Sequence, residues 1–201
     1  MVAIIDYDAG NIRSVEKAIV SLGYEAVVTR DADTILKADH VILPGVGAFG
    51  DAMGKLSGYG LVDVIRTVAK REIPFLGICL GLQLMFENSE EAPGVEGLGL
   101  LKGSILRIPE KEGLKIPHIG WNSLRYPAPG RLFAGILEDS YVYFVHSYYL
   151  HAQDKEIVKA VTEYGVEIHA SVEKDNLFAC QFHPEKSSDV GMKILQNFME
   201  L

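Results

Sequence analysis

Cys79 stands in a sequence context that could make it a nucleophile. It ends an apolar stretch, is flanked by Gly77 and Gly81 in the pattern Gly-x-Cys-x-Gly, and precedes a helix-like stretch. A sharp strand-to-helix turn of this kind projects the nucleophile from the backbone, and its small neighbours let other chain segments pass close by. Amides at the start of the helix face the sulfur and favour the reactive thiolate. The pattern predicts a nucleophile elbow carrying a thiol, with the amide of Leu80 as a donor to an oxyanion.

His183 and Glu185 supply the two other groups that a cysteine hydrolase needs. Pro184 between them favours extended backbone at His183, and residues i and i+2 of an extended segment point to the same face. Glu185 would then bind one imidazole nitrogen and leave the other for the thiol of Cys79. The sequence therefore predicts a Cys–His–Glu triad. A buried structural cysteine and a surface turn that carries His and Glu by chance are the alternatives.

The remaining histidines and the second cysteine are weaker candidates. His146 is a second candidate base, ranked below His183 because it follows a strongly apolar strand and has no acid two residues on. Cys180 lies in an apolar stretch and is assigned to the core. The other histidines have no metal-ligand spacing with cysteines or carboxylates; they are His40, His118, His151 and His169. We therefore expect no metal and no cofactor.

The segment 45–50 matches Gly-x-Gly-x-x-Gly after a predicted strand, a pattern found in dinucleotide-binding sites. Two observations argue against dinucleotide binding. The segment follows the third predicted strand, whereas the dinucleotide-binding loop follows the first. That site also needs an acidic residue at the end of a strand about 20 residues further on, but Glu72 ends a helix. Loops at the carboxyl ends of neighbouring parallel strands share one crevice. We therefore prefer an oxyanion loop, in which Val46 and Gly47 lie beside Cys79 and turn a backbone amide toward a substrate oxygen.

Length and composition restrict the kind of protein. The chain has 201 residues, 48% of them hydrophobic, which fits one domain over residues 1–201 with a substantial core. A net charge of −8 argues against nucleic acid as a partner. Two cysteines do not make a disulfide framework. The N-terminus lacks a signal-peptide pattern, and the longest apolar run is too short and too rich in glycine to span a bilayer. We expect a cytoplasmic protein without a membrane partner.

Strand-like and helix-like segments alternate in the first half of the chain. The predicted strands there are Val2–Asp6, Tyr24–Thr29, His40–Leu43 and Phe75–Ile78, and the predicted helices are Ile12–Leu22, Asp31–Lys37 and Leu61–Arg71. The second half has predicted strands at Leu98–Ile108, Tyr141–Val145, Ile157–Thr162, Val166–Val172 and Leu177–Phe182, and a last helix at Asp189–Met199. This pattern predicts an α/β fold, a flavodoxin-like open and largely parallel sheet with helices on both faces and antiparallel strands added in the second half.

These motifs together resemble those of class I (triad-type) glutamine amidotransferases over nearly the full length of the chain. The matching segments are Pro44–Gly47, Gly77–Gln83 and Phe182–Ser187. The resemblance implies hydrolysis of L-glutamine to glutamate and ammonia through a thioester on Cys79. It also implies that Gln83, Glu91 and the backbone of Ser147 and Tyr148 bind the substrate.

Four further segments resemble the branch of that family that serves histidine biosynthesis: Asp6–Asn11, Ser89–Val95, His118–Asn122 and Tyr143–Tyr148. In that branch the ammonia passes to a separate cyclase subunit, a (β/α)8 barrel that makes imidazole glycerol phosphate. The resemblance implies this partner in a heterodimer and places Asn11 near it. Because aromatic anchors are typical of interfaces, we expect a contact patch around the active-site mouth, formed by Trp121, Tyr143, Tyr148, Tyr149 and Lys186. The alternatives are core positions for Trp121 and Tyr143, a solvated Lys186, and Asn11 as a helix N-cap.

Three other functions stay open at this stage: a non-catalytic binding subunit, another cysteine hydrolase on the same fold, and a glutaminase that feeds another acceptor such as a pyridoxal phosphate synthase. The intact triad argues against the first of them. Many relatives carry Gly-Gly where this chain has Gly45-Val46, and a β-branched residue resists positive φ. We hypothesise that this peptide aims its carbonyl at the oxyanion site, and that partner and substrate binding shift the population.

Overall fold

The computed structural model describes all 201 residues. The six helices α1 to α6 are Ile12–Ser21, Ala32–Leu36, Phe49–Gly58, Leu61–Lys70, Leu80–Leu84 and Ser188–Met199. The twelve strands β1 to β12 are Val2–Ile5, Ala26–Thr29, His40–Leu43, Phe75–Ile78, Asn88–Ser89, Gly103–Arg107, His118–Ser123, Tyr141–His146, Tyr148–Ala152, Val158–Glu163, Glu167–Lys174 and Leu177–Cys180. None of the helices combines the length and the apolar character needed to cross a membrane.

A seven-stranded sheet forms the centre of the molecule, in the order β10-β11-β12-β4-β3-β1-β2. Strands β2, β1, β3, β4 and β12 run parallel, and β11 and β10 are antiparallel to their neighbours. The order of the first four strands is that of flavodoxin-like folds. The predicted fold class is confirmed.

Helices cover both faces of this sheet because successive strand residues point to opposite sides. In β1, Val2 and Ile4 pack into the cluster formed with α1 and α6, whereas Ala3 and Ile5 pack into the cluster formed with α2, α3 and α4. All four side chains are fully buried. Burial on both faces explains why the parallel strands have continuous apolar sequences.

Two small sheets lie outside the central one and were only partly predicted. One has the order β5-β6-β9, and the other is the β7–β8 antiparallel pair. The prediction had no strand for β7 or β9, and the predicted strand Leu98–Ile108 begins only at Gly103. Strand β7 has only one fully buried residue, His118, so its sequence lacks the apolar pattern of a core strand.

Helix α3 was also missed. Its sequence contains Gly50, Gly54 and Gly58, which lower intrinsic helix propensity by about 1 kcal/mol each relative to alanine. Tertiary packing outweighs that cost, because Phe49, Ala52, Met53 and Leu56 form a buried stripe. The helix begins directly after the 45–48 loop and so fixes one end of that loop.

Candidate active site

Cys79 occupies the sharp turn between β4 and α5. Its backbone has φ 55° and ψ −108°, a strained conformation for a residue with a side chain. The Cys79 amide donates to the Cys180 carbonyl oxygen on β12 at 2.8 Å. A Cβ atom on Gly81 would lie 1.9 Å from the carbonyl oxygen of Leu43, so only glycine lets α5 approach β3 this closely. The structure therefore has the geometry of a nucleophile elbow.

His183 and Glu185 form a buried ion pair beside this turn. Nδ1 of His183 lies 2.7 Å from Oε1 of Glu185, and the two side chains are 1% and 0% exposed. The His183 amide donates to the carbonyl oxygen of Tyr143, which fixes the segment against β8. The reasoning from an extended segment was wrong in one respect: residues Pro184–Lys186 form a 3-10 turn, and Glu185 reaches back to His183 within it.

The protonation of His183 results from two opposing effects. Burial disfavours the imidazolium, but interactions with Cys79 and Glu185 outweigh it and raise the pKa of His183 to about 9. Nδ1 binds Glu185, whereas Nε2 is buried and makes no hydrogen bond. Nε2 is therefore the ring nitrogen that remains for exchange of a proton with Cys79.

Asn11 completes the contacts of Glu185. Asn11 occupies the N-cap position of α1, as the alternative expected, but its side chain makes no capping bond and its φ is 69°. The side-chain NH2 instead donates to Oε1 of Glu185. Asn11 Nδ2 is also 3.5 Å from Nδ1 of His183, but both atoms are donors, so this contact is not a hydrogen bond. Helix capping patterns gave no signal for this contact.

A cleft of about 310 Å³ opens beside Cys79. Its lining contains Cys79, the three predicted oxyanion residues and the four predicted substrate-binding residues: Val46, Gly47, Leu80, Gln83, Glu91, Ser147 and Tyr148. Three other residues line the cleft. Sequence reasoning did not include Pro117 and Val145, and it considered His146 only as a second candidate base. His183 lies behind the cleft wall and does not line it.

The oxyanion loop is closed against the elbow. The Leu80 amide donates to the Gly45 carbonyl oxygen at 3.3 Å, so the predicted oxyanion donor is occupied in this conformation. The Tyr7 hydroxyl holds the same loop by donating to the Pro44 carbonyl oxygen at 2.8 Å. This orientation of the Gly45–Val46 peptide agrees with the expectation from Val46, and an oxyanion role for Leu80 requires the peptide to turn.

Glu91 carries the negative charge of the cleft wall. Its Oε2 accepts a hydrogen bond from the Phe49 amide at 2.8 Å. This amide belongs to the first turn of α3, where free N–H groups and the helix dipole favour a carboxylate. The other carboxylate oxygen, Oε1, makes no hydrogen bond within the protein, so Glu91 can bind a cationic group in the cleft.

Two glutamine side chains connect the cleft wall to the sulfur. Gln83 Nε2 donates to the Tyr148 carbonyl oxygen and to Gln181 Oε1, both at 3.0 Å. Gln181 Nε2 in turn lies 3.7 Å from Cys79 Sγ. Sequence reasoning missed Gln181. The only available signal was its position two residues before His183, which places both side chains at the same strand end.

His146 is held in a neutral state and is a poor base. Its Nδ1 donates to the Tyr148 carbonyl oxygen at 2.9 Å, and its Nε2 lies 3.0 Å from His118 Nδ1. Burial lowers the pKa of His146 to about 3 and that of His118 to about 4. Because a carbonyl only accepts, Nδ1 of His146 carries the proton and Nε2 accepts from His118.

The β7–β8 pair exposes aromatic and apolar side chains on its outer face. Trp121 is 50% exposed and packs edge-to-face with Tyr143, and Ile119 and Tyr141 are 59% and 58% exposed. Lys186 is exposed, with Nζ 6.0 Å from the centroid of the Tyr143 ring. A core position for Trp121 is therefore excluded. Nowhere in the chain do three or more His, Cys, Asp or Glu side chains come together as metal ligands.

Comparisons with known proteins show the family to which the chain belongs. Residues 3–201 match the family model described as glutamine amidotransferase class-I. The chain is 54% identical over 200 residues to imidazole glycerol phosphate synthase subunit HisH of Moorella thermoacetica, covering 100% of this chain and 94% of the relative. It is 47% identical over 201 residues to the protein of the same name from Methanocaldococcus jannaschii, covering 100% of both chains. A crystal structure described as glutamine amidotransferase superposes with a TM-score of 0.78 at 20% identity, covering 100% of this chain and 98% of that one.

Proposed function

Because this chain belongs to the class I glutamine amidotransferase family, we propose that it is the glutaminase subunit of an imidazole glycerol phosphate synthase and that Cys79, His183 and Glu185 carry out the hydrolysis. The single observation that carries the residue assignment is that His183 interacts both with Cys79 at the elbow and with its buried partner Glu185. The product ammonia serves histidine biosynthesis.

The first half-reaction forms a thioester. At neutral pH His183 carries a proton on Nε2, because its pKa is raised to about 9, and the thiolate sulfur of Cys79 attacks the side-chain carbonyl carbon of glutamine. Glu185 binds Nδ1–H and stabilises the imidazolium. The new C–S bond gives a tetrahedral oxyanion, and its collapse breaks the C–N bond while His183 returns the proton to the departing ammonia.

The second half-reaction releases glutamate. His183 takes a proton from a water molecule that attacks the thioester carbon, and the C–S bond breaks to regenerate Cys79. Gln83, Glu91 and the backbone at Ser147 and Tyr148 hold the substrate during both steps. The free oxygen of Glu91 faces the α-ammonium group, which places the amide end of glutamine at the sulfur.

The partner is the cyclase subunit, a (β/α)8 barrel, and it binds over the outer face of the β7–β8 pair. This face is apolar and exposed, and interface cores are enriched in aromatic residues. It is continuous with the active site, because Pro117 and Val145 belong to the same region and line the cleft. Trp121, Tyr143 and Lys186 are proposed contacts, and Asn11 lies near the rim. Nucleic acid and membranes are not partners, and the protein works in the cytoplasm.

Partner binding also turns the Gly45–Val46 peptide. In the present conformation the Gly45 carbonyl binds the Leu80 amide. Turning this peptide moves the Gly45 carbonyl away and presents the amide of Val46, together with that of Leu80, to the oxyanion. The uncomplexed subunit is therefore expected to be a poor glutaminase.

The test uses the purified chain with and without its co-expressed cyclase subunit. We expect glutamate release from glutamine to increase with the cyclase subunit and its nucleotide ligand present. Diazo-oxo-norleucine, a glutamine-like electrophile, is expected to label Cys79 in the complex. Labelling is located by peptide mass spectrometry, because Cys180 is a second thiol.

Cys79→Ser in the same complex is the matched control, and it should abolish both the label and the glutamate release. A complex that neither binds the electrophile nor hydrolyses glutamine would contradict the proposed function. Full activity of the isolated chain would contradict only the gating by the Gly45–Val46 peptide.

A further inference from the structure

Gln181 lies against the nucleophile without being part of the cleft wall. It directly follows β12 and is 0% exposed. Its amide donates to the Ala170 carbonyl oxygen at 2.8 Å, which fixes its backbone to the sheet. Its side-chain nitrogen is 3.7 Å from Sγ of Cys79. The side chain therefore faces the reacting sulfur from the protein interior.

The orientation of the Gln181 amide is determined by its neighbours. The Tyr148 carbonyl oxygen can only accept, so the Gln83 group 3.0 Å away from it must be the NH2. The same nitrogen lies 3.0 Å from Gln181, which must therefore present its oxygen there. The side-chain nitrogen of Gln181 therefore faces the sulfur of Cys79 and can donate an N–H to it.

The Tyr148 carbonyl oxygen, where this chain of hydrogen bonds begins, is held in place by a second donor. The Tyr148 carbonyl oxygen also accepts from Nδ1 of His146 at 2.9 Å, and His146 accepts from His118. The His118 ring stacks between Phe144 and Tyr164, with centroid distances of 4.8 and 3.8 Å. Flipping the Gln83 amide would set its oxygen against the Tyr148 carbonyl oxygen, and flipping the Gln181 amide would set its nitrogen against that of Gln83.

We propose that Gln181 is a further catalytic residue, which donates a hydrogen bond to the sulfur of Cys79 and so stabilises the thiolate that attacks glutamine. Hydrogen bonding to the charged form of a buried group favours that form. The proton that the thiol gives up is still held by His183, and the N–H of Gln181 remains on its nitrogen throughout. Gln83 orients Gln181 in addition to its proposed contact with substrate. The inference rests on the proposed function, in which Cys79 is the nucleophile.

The test measures thiolate formation without requiring glutaminase activity. The purified chain is alkylated with iodoacetamide at pH 7 and at pH 9.5, and the ratio of the two rates reports how much thiolate is present at pH 7. We expect this ratio to fall about tenfold in Gln181→Met, because a hydrogen bond to a charged group is lost. Gln181→Glu should lower it at least as much, because a carboxylate cannot donate to sulfur. Cys79→Ser measures the background from Cys180.

Asn197→Leu is the matched control. Asn197 is another buried amide, which donates to the carbonyl oxygens of Leu132 and Ala134 at 2.9 Å and does not touch Cys79. This variant should leave the alkylation ratio unchanged. If Gln181→Met does not fold, Gln83→Met removes the orienting group and should shift the ratio in the same direction by less. An unchanged ratio in folded Gln181→Met and Gln181→Glu would overturn the proposal.

Kinetics of the complex separate this role from a structural one. Because Gln181 does not line the cleft, Gln181→Met should lower kcat about tenfold and change KM for glutamine less than about twofold. A change in KM with unaltered kcat would also overturn the proposal. If the wild-type complex fails to hydrolyse glutamine, the proposed function fails, but the alkylation ratio still decides whether Gln181 stabilises the thiolate.

Discussion

Asn11 donates a hydrogen bond to the carboxylate of Glu185, although 174 positions separate them in the chain. Oε1 of Glu185 accepts from both Asn11 and His183, whereas Oε2 is buried without a partner. Asn11 and His183 therefore supply all the hydrogen bonds that this buried carboxyl group makes. The start of α1 and the turn before α6 are joined at the triad by this contact.

Replacing Asn11 should impair catalysis through Glu185. We expect Asn11→Leu to lower kcat about tenfold, because a hydrogen bond to a buried carboxylate is removed. Asn11→Asp should be worse, since it places a second carboxylate against Glu185. Glutamate release is measured at a saturating concentration of the cyclase subunit, which separates catalysis from partner binding. Ser21→Ala, at the other end of α1, is the control, and wild-type kcat in Asn11→Leu would contradict the assigned role.

The stability of the isolated chain should fall at alkaline pH because of His183. Its pKa is raised to about 9 in the folded protein, above the value of about 6.5 in an unfolded chain. The stabilisation is complete below about pH 6.5 and is lost as the pH rises through about 9. The free energy of unfolding should decrease by on the order of 3 kcal/mol in total over this range. Urea unfolding at pH 6 and pH 9.5 measures this loss.

Two variants identify the group responsible for that loss. His183→Gln should show a smaller decrease in the free energy of unfolding between the two pH values. Cys79→Ser should show an intermediate decrease, because Cys79 is one of the two groups that raise the His183 pKa. Equal decreases in the wild type and in His183→Gln would show that His183 is not the titrating group.

Removing the charge of Glu91 should weaken substrate binding more than chemistry. Glu91 lines the cleft and binds the Phe49 amide, so Glu91→Gln loses a cation partner for the substrate and a favourable contact with the α3 dipole. We expect KM for glutamine to rise about tenfold, with kcat changed less. Glu90→Gln is the matched control, because Glu90 also accepts from a backbone amide, that of Arg107, but does not line the cleft. Equal KM values for the two variants would contradict the role of Glu91.

Two glycine substitutions should have opposite effects on stability. Gly81→Ala would place a Cβ 1.9 Å from the Leu43 carbonyl oxygen, and we expect a loss of more than about 3 kcal/mol because backbone must move. Gly54 lies inside α3 with no atom within 4 Å of an added Cβ, so Gly54→Ala should gain about 1 kcal/mol. Denaturant unfolding of both variants checks the pair. A tolerated Gly81→Ala would show that the elbow can relax.

Local patterns were sufficient to predict most of the central sheet and the position of the nucleophile. Strands such as Phe75–Ile78 are apolar on both faces, so their sequences alone indicate buried strands. The Gly-x-Cys-x-Gly pattern at the end of this strand is short and therefore indicates a single sharp turn. Strands β7 and β9 and helix α3 were missed because tertiary packing stabilises them against weak local preferences. The backbone of Glu185 shows the same limit, since it forms a 3-10 turn where extended chain was expected.

The sequence by itself determined the residue types of the triad and the order in which they occur, because chemical identity and spacing are local properties of the chain. Tertiary structure alone decided which polar groups surround those residues. Asn11 at Glu185 and Gln181 at Cys79 come from remote segments brought together by the sheet order. Hydrogen bonds form only at short range between oriented groups, so their partners follow from the packing of the elements and not from any pattern along the chain.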